Sequence, residues 1–138
     1  KTFRNEPLVI DKWFRLQALD SSAGAIERIK QLLVHEAYDK HNPNRVRALL
    51  GVFSAQNIAH FHAADEQGYA LLVTEIASID KFNPQLAARL CEPLLGWRLF
   101  DTDRQVSMKK YLQLLLSEEQ ISDDLYEVVS KSLATTVA

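Results

Sequence analysis

Little in this sequence of 138 residues reaches for support outside ordinary packing. It has one cysteine, Cys91, so no disulfide can form within it, and the position of that residue between Leu90 and Leu94 suits a small buried side chain rather than a nucleophile. Its four glycines, Gly24, Gly51, Gly68 and Gly96, are isolated, which leaves no glycine-rich loop to cradle a phosphate. No run of 18 or more apolar residues and no basic-then-apolar leader pattern occurs, so no membrane partner is expected, and the protein reads as soluble and cytoplasmic. Charge of one sign is also lacking. Sixteen Lys and Arg face 18 Asp and Glu for a net charge of −2, so no nucleic-acid partner is expected. The opening Lys1-Thr2-Phe3 lacks a methionine and suggests a fragment of something longer.

What is present is a globular mixture, 47% apolar and 25% charged, sized for a single domain over 1–138 with one core and no linker. Within it one phrase occurs twice: Asn42-Pro43-Asn44 and Asn83-Pro84-Gln85 each precede an apolar, Arg-bearing stretch, and Asn42 to Asn83 is a period of 41 residues. That spacing is typical of stacked helical-pair repeats. Each unit cannot bury its apolar face alone, so the expected product is a superhelical solenoid of the HEAT/armadillo kind, all-α, with about seven to eight helices.

Helical periodicity runs through the chain and no convincing alternating strand appears. A first helix opens at Glu6-Pro7, passes Leu8, Trp13, Leu16 and Leu19, and ends before Asp20-Ser21-Ser22. Ser21 or Ser22 then caps a second, striped by Ile26, Ile29, Leu32 and Leu33, to about Ala37. Pro43 opens a third through Val46, Leu49, Leu50 and Phe53, with Asn42 as its cap. A short turn and loop fill Gln56 to Gly68. A fourth helix carries Leu72, Ile76 and Ile79, and a fifth opens at Pro84 and breaks near Pro93. A sixth carries Val106, Tyr111, Leu112, Leu115 and Leu116; a last one starts at Ser122 and passes Leu125, Val128, Val129 and Leu133, with fraying from Ala134 to Ala138. The tryptophans Trp13 and Trp97 and the tyrosines Tyr38, Tyr69, Tyr111 and Tyr126 read as core anchors.

The chemistry is mostly missing. His35-Glu36-Ala37-Tyr38-Asp39 approaches a zinc-peptidase signature, but Asp39 stands where a second histidine should be and no further ligand follows. His60 and His62 flank Phe61 and do not complete a tetrahedral site, and no serine stands in a nucleophile elbow. Glu118, Glu119, Asp123 and Asp124 gather at the last loop, where solvation and capping account for them. Arg45 and Arg47 on the helix opened by Pro43, and Arg89 on the one opened by Pro84, are the candidate site residues. On a shared face, their planar guanidinium forks could hold a carboxylate through two hydrogen bonds.

In order, Glu6-Pro7-Leu8-Val9, Asp11-Lys12-Trp13-Phe14, Leu16-Gln17, Asn42-Pro43-Asn44-Arg45-Val46-Arg47, Phe61-His62-Ala63-Ala64-Asp65, Gly68-Tyr69, Asn83-Pro84-Gln85, Arg89-Leu90 and Leu125-Tyr126-Glu127 cover nearly the whole chain. This series resembles the C-terminal helical domain of bacterial aminopeptidase N, a zinc metallopeptidase of the gluzincin kind. One departure is Glu66-Gln67, where the resemblance leads one to expect a glycine soon after Asp65. The resemblance implies a parent hydrolase that removes N-terminal residues from peptides, with zinc and the catalytic residues in other domains and no cofactor or catalytic activity in this chain. It implies as partners those other domains and the peptides that cross a cavity this domain encloses, with Arg47 and Arg89 facing that cavity. Two other readings remain: a free-standing helical-repeat interaction module, and an independent hydrolase using His35, Glu36 and Asp39 with His60 or His62.

Overall fold

The structure, a computed structural model, describes residues 6–134, so the opening Lys1-Thr2-Phe3 and the tail beyond Ala134 lie outside the described residues. Among these, every regular element is helical. The chain divides into two compact units, Lys1–Ala63 and Ala64–Ala138.

In the first unit, Pro7 sits in the first turn of α1 (Pro7–Leu19), where its missing N–H leaves no bond unmade. α2 (Ala25–Leu33) starts later than the serines suggest. Ser22 turns its N–H and hydroxyl back onto the Asp20 carboxylate at 3.0 and 2.7 Å, so its side chain is not left to cap the helix. The helix entry falls instead to Gly24, whose φ of 83° lies in the left-handed region that a glycine adopts without a Cβ clash. The same helix stops short of Ala37, because the 34–37 stretch folds into a turn in which His35 Nδ1 accepts the Ala37 N–H at 2.9 Å.

The helix opened by Pro43 differs from a plain α-helix. α3 (Pro43–Val46) widens into a π turn (Arg47–Gly51) and continues as α4 (Val52–Gln56). A short α5 (Ile58–Phe61) follows. The wider turn lets Ala48, Leu49 and Leu50 all turn inward in succession. α1 packs along this segment through Ile10, Phe14 and Ala18. Phe14 is fully enclosed with Tyr38 and His35 at its edges, 5.9 and 5.8 Å between ring centres, and Phe53 meets Phe61 edge to face. Each such phenyl contributes about 1.5–3 kcal/mol through burial.

In the second unit, α6 (Gln67–Asp80) is buried on most sides, with Tyr69, Leu72, Ile76 and Ile79 enclosed. It packs on α7 (Pro84–Leu90) and α9 (Thr102–Leu116), and α10 (Asp123–Ala134) packs on α7 and α9. The break near Pro93 is present: α7 ends at Leu90, and Pro93 lies in the first turn of a new short helix, α8 (Glu92–Leu95), where it disrupts nothing. The doubled junction is one device used twice. Asn42 Oδ1 accepts the Arg45 N–H at 3.3 Å and Asn83 Oδ1 accepts the Leu86 N–H at 3.1 Å, each satisfying an orphan donor beside a Pro-led first turn. Of the aromatic anchors, Tyr69 and Trp97 are buried, with Trp97 Nε1 donating to Ser132 Oγ at 3.1 Å. Tyr126 is instead 52% exposed, because α10 turns Leu125 and Val129 inward and leaves its neighbour outside.

Candidate functional site

The three arginines have different fates. Arg45 is buried: its Nε donates to Asp11 Oδ1 at 2.5 Å, its Nη1 donates to the Ala37 carbonyl, and its guanidinium lies 5.9 Å from the centre of the Phe14 ring. Its donors are engaged in tying α1 and the 34–37 turn to α3, which makes it a residue of the fold and removes it from a substrate-facing role. Arg47 is exposed at the start of the π turn and donates to Asn44 Oδ1 at 2.7 Å. Arg89 is exposed on α7. Helix equivalence does not extend to these two positions. Arg47 is four residues beyond Pro43, Arg89 is five beyond Pro84, and the counterpart of Arg89 in the first copy is the buried Ala48. One residue is about 100° around a helix, so the two positions are not equivalent on their own helices. They also belong to different units.

The histidines are held within the fold. His35 packs against Trp13 and Phe14 with its Nδ1 already accepting a backbone N–H, and Asp39 Oδ1 accepts the N–H of His41. His60 Nε2 sits 2.7 Å from the Ser21 carbonyl oxygen, and His62 is buried edge-on to Phe61. No three His, Cys, Asp or Glu side chains converge among the described residues, so the residues present do not fit a zinc ion. Cys91 is enclosed; burial first, and the nearby Asp80 carboxylate second, push its thiol up to about 12, so it carries no thiolate at neutral pH.

Sequence patterning gives no sign of the clusters around Glu66 and Asp80. Glu66 is the one non-glycine residue at positive φ, 65°, among the described residues, which is the physical reason a glycine is expected near this point. Its carboxylate compensates by accepting from Ser107 Oγ at 2.5 Å, Lys110 Nζ at 2.6 Å and Tyr111 OH at 3.2 Å, tying the start of α6 to α9. The bond from Lys110, and next that from Ser107, holds this carboxyl below its ordinary value. Its stabilising effect is therefore present above the ordinary glutamate range and is lost as the pH falls through the lowered native value. Glu66→Ala is expected to be less stable than Glu66→Gly by about 1 kcal/mol, since both lose the carboxylate but only alanine keeps the left-handed strain. Denaturant unfolding of the two variants checks this, and only the wild type should lose this increment of stability on acidification.

The all-helical architecture and the repeated capped junction define a helical-repeat protein of the armadillo type. Residues 1–134 match the family described as "Domain of unknown function (DUF3458_C) ARM repeats", and the chain belongs to that family. It is 44% identical over 127 residues to aminopeptidase N of Escherichia coli (strain K12), and 42% identical over 131 residues to aminopeptidase N of Caulobacter vibrioides. These matches cover 92% and 95% of this chain but 15% of each relative. Among solved structures, aminopeptidase A of Legionella pneumophila, determined in complex with aspartic acid, superposes with a TM-score of 0.90 at 38% identity, over 95% of this chain and 15% of that one. The chain thus spans about 15% of the length of the relatives it matches. No helix among the described residues is long and apolar enough to cross a membrane.

Proposed function

We propose that this chain is the C-terminal, non-catalytic helical domain of a cytoplasmic zinc-dependent aminopeptidase N, and that it walls the active-site cavity so that peptides and unfolded N-termini reach the metal. The observation that supports this reading most is the pattern of similarity: nearly all of the chain aligns, yet only with a small fraction of each peptidase. Zinc and the general base belong to other parts of the polypeptide, consistent with His35 and Asp39 being engaged locally. The chain is inactive alone, and its part in the reaction is positioning and access.

Arg47 and Arg89, both exposed on Pro-led helices, are the side chains proposed to attract the peptide's C-terminal carboxylate. In the full-length enzyme, Arg89→Ala and Arg47→Ala are expected to lower kcat/KM for short peptides about tenfold, while aminoacyl amides without a terminal carboxylate keep theirs. Equal losses on both substrate classes would sink the arginine role. The wall itself is tested by the polypeptide upstream of Lys1, which should carry H-E-x-x-H and a downstream Glu. Its absence there would favour an interaction module instead.

A further inference from the structure

The two exposed arginines on Pro-led helices each follow a neutral amide. Asn44 is the second residue of α3 and Gln85 the second residue of α7, both exposed, with Arg47 three and Arg89 four residues further on. Three and four are the two spacings that bring side chains together on one side of a helix. At the first junction the contact is made. Arg47 Nη2 donates to Asn44 Oδ1 at 2.7 Å, while the Arg47 N–H is bonded to the Asn44 and Pro43 carbonyls, so both ends of this arginine are tied to the turn that Pro43 opens. Other arginines are matched differently: Arg45 meets Asp11 at 2.5 Å, Arg104 meets Asp101 at 2.8 Å and Arg28 meets Asp20 at 3.5 Å. A carboxylate partner holds a guanidinium and cancels its charge. An amide oxygen holds it and leaves the charge in place.

We propose that Asn44 is the positioning residue for Arg47: its side-chain oxygen orders the guanidinium through one N–H and keeps it cationic, so that the other N–H donors of the fork serve a peptide's C-terminal carboxylate. An arginine side chain gives up much rotamer freedom when it clamps a ligand, and an acceptor that orders it beforehand reduces that loss. The inference rests on reading Arg47 as a side chain that attracts the carboxylate. It adds a second residue to that role, and a reason for an amide rather than an acid at position 44.

The test is steady-state kinetics of the full-length enzyme carrying Asn44→Asp, Asn44→Ala or Asn44→Gln, with Arg47→Ala as the reference. The quantity read is kcat/KM for a short peptide divided by kcat/KM for the matching aminoacyl amide, with KM and kcat resolved for each. Asn44→Asp should lower this ratio about five- to tenfold, nearly as far as Arg47→Ala, because the new carboxylate neutralises the guanidinium it holds. Asn44→Ala should lower it about threefold, through a raised KM for the peptide with kcat kept, and Asn44→Gln, which restores a neutral acceptor, should stay within about twofold of the wild type. Unchanged ratios in Asn44→Asp and Asn44→Ala beside a lowered ratio in Arg47→Ala would overturn the inference and leave the arginine reading standing. An unchanged ratio in Arg47→Ala removes both. Equal losses on peptide and amide in the Asn44 variants, accompanied by a lowered Tm, would overturn the inference by making Asn44 a residue of the fold alone.

Discussion

Arg45→Ala is expected to lower the unfolding free energy by about 3–5 kcal/mol, the largest single polar effect in the first unit. The substitution leaves the Asp11 carboxylate, itself buried, without its 2.5 Å partner, and leaves the Ala37 carbonyl without its donor. Both groups must then find water or remain unsatisfied in a site lined by Phe14, and the penalty for an orphaned buried charge exceeds what the pair contributes over an apolar replacement. Arg45→Lys keeps the charge but cannot span both acceptors with one planar fork, so an intermediate loss is expected. Asp11→Ala should cost a comparable amount, and the double variant less than the sum of the two. Urea unfolding of the three variants measures this coupling, and strict additivity would show that the two side chains do not act as a pair.

Asp80→Ala is expected to cost about 2–4 kcal/mol in the second unit. Asp80 is buried at the last turn of α6, where one carboxylate oxygen accepts the Ser122 N–H at 2.7 Å and the other accepts the Ser122 hydroxyl. That hydroxyl in turn accepts the Leu125 N–H at 3.1 Å and so caps α10. The carboxylate therefore fastens the end of α6 to the positive end of α10 through a relay in which every donor is used. Asp80→Asn keeps one acceptor and should cost roughly half as much, while Ser122→Ala removes the cap for about 1 kcal/mol. Thermal unfolding of the set orders them. Equal Tm values for Asp80→Ala and Ser122→Ala would show that the carboxylate does no more than hold the serine.

The helices whose ends were legible are those whose ends are written in short-range chemistry. Pro7, Pro43 and Pro84 occupy first turns, Asn42 and Asn83 accept the N–H three residues on, and the chain breaks just before Pro93. The start of α2 was not legible, because Asp20 competes for Ser22 and the entry passes to Gly24. Nor was the π turn, which answers the demand that Ala48, Leu49 and Leu50 all be buried together, a demand set by α1 packing alongside. Of the candidate site, residue identities were legible and their surroundings were not. Arg45 and Arg47 read alike along the chain, yet one is locked onto Asp11 and the other faces solvent.

By itself the sequence determined the all-α class and the Asn-Pro helix starts, because caps, proline turns and apolar periodicity act over four residues or fewer, and its ordered series of motifs carried the resemblance to a peptidase domain. Only the tertiary structure decided which charges are spent inside the fold. Asp11 with Arg45, Asp80 with Ser122 and Glu66 with Lys110 are pairs separated by 34, 42 and 44 positions, and nothing local in a sequence reports a partner that folding alone brings within hydrogen-bond distance.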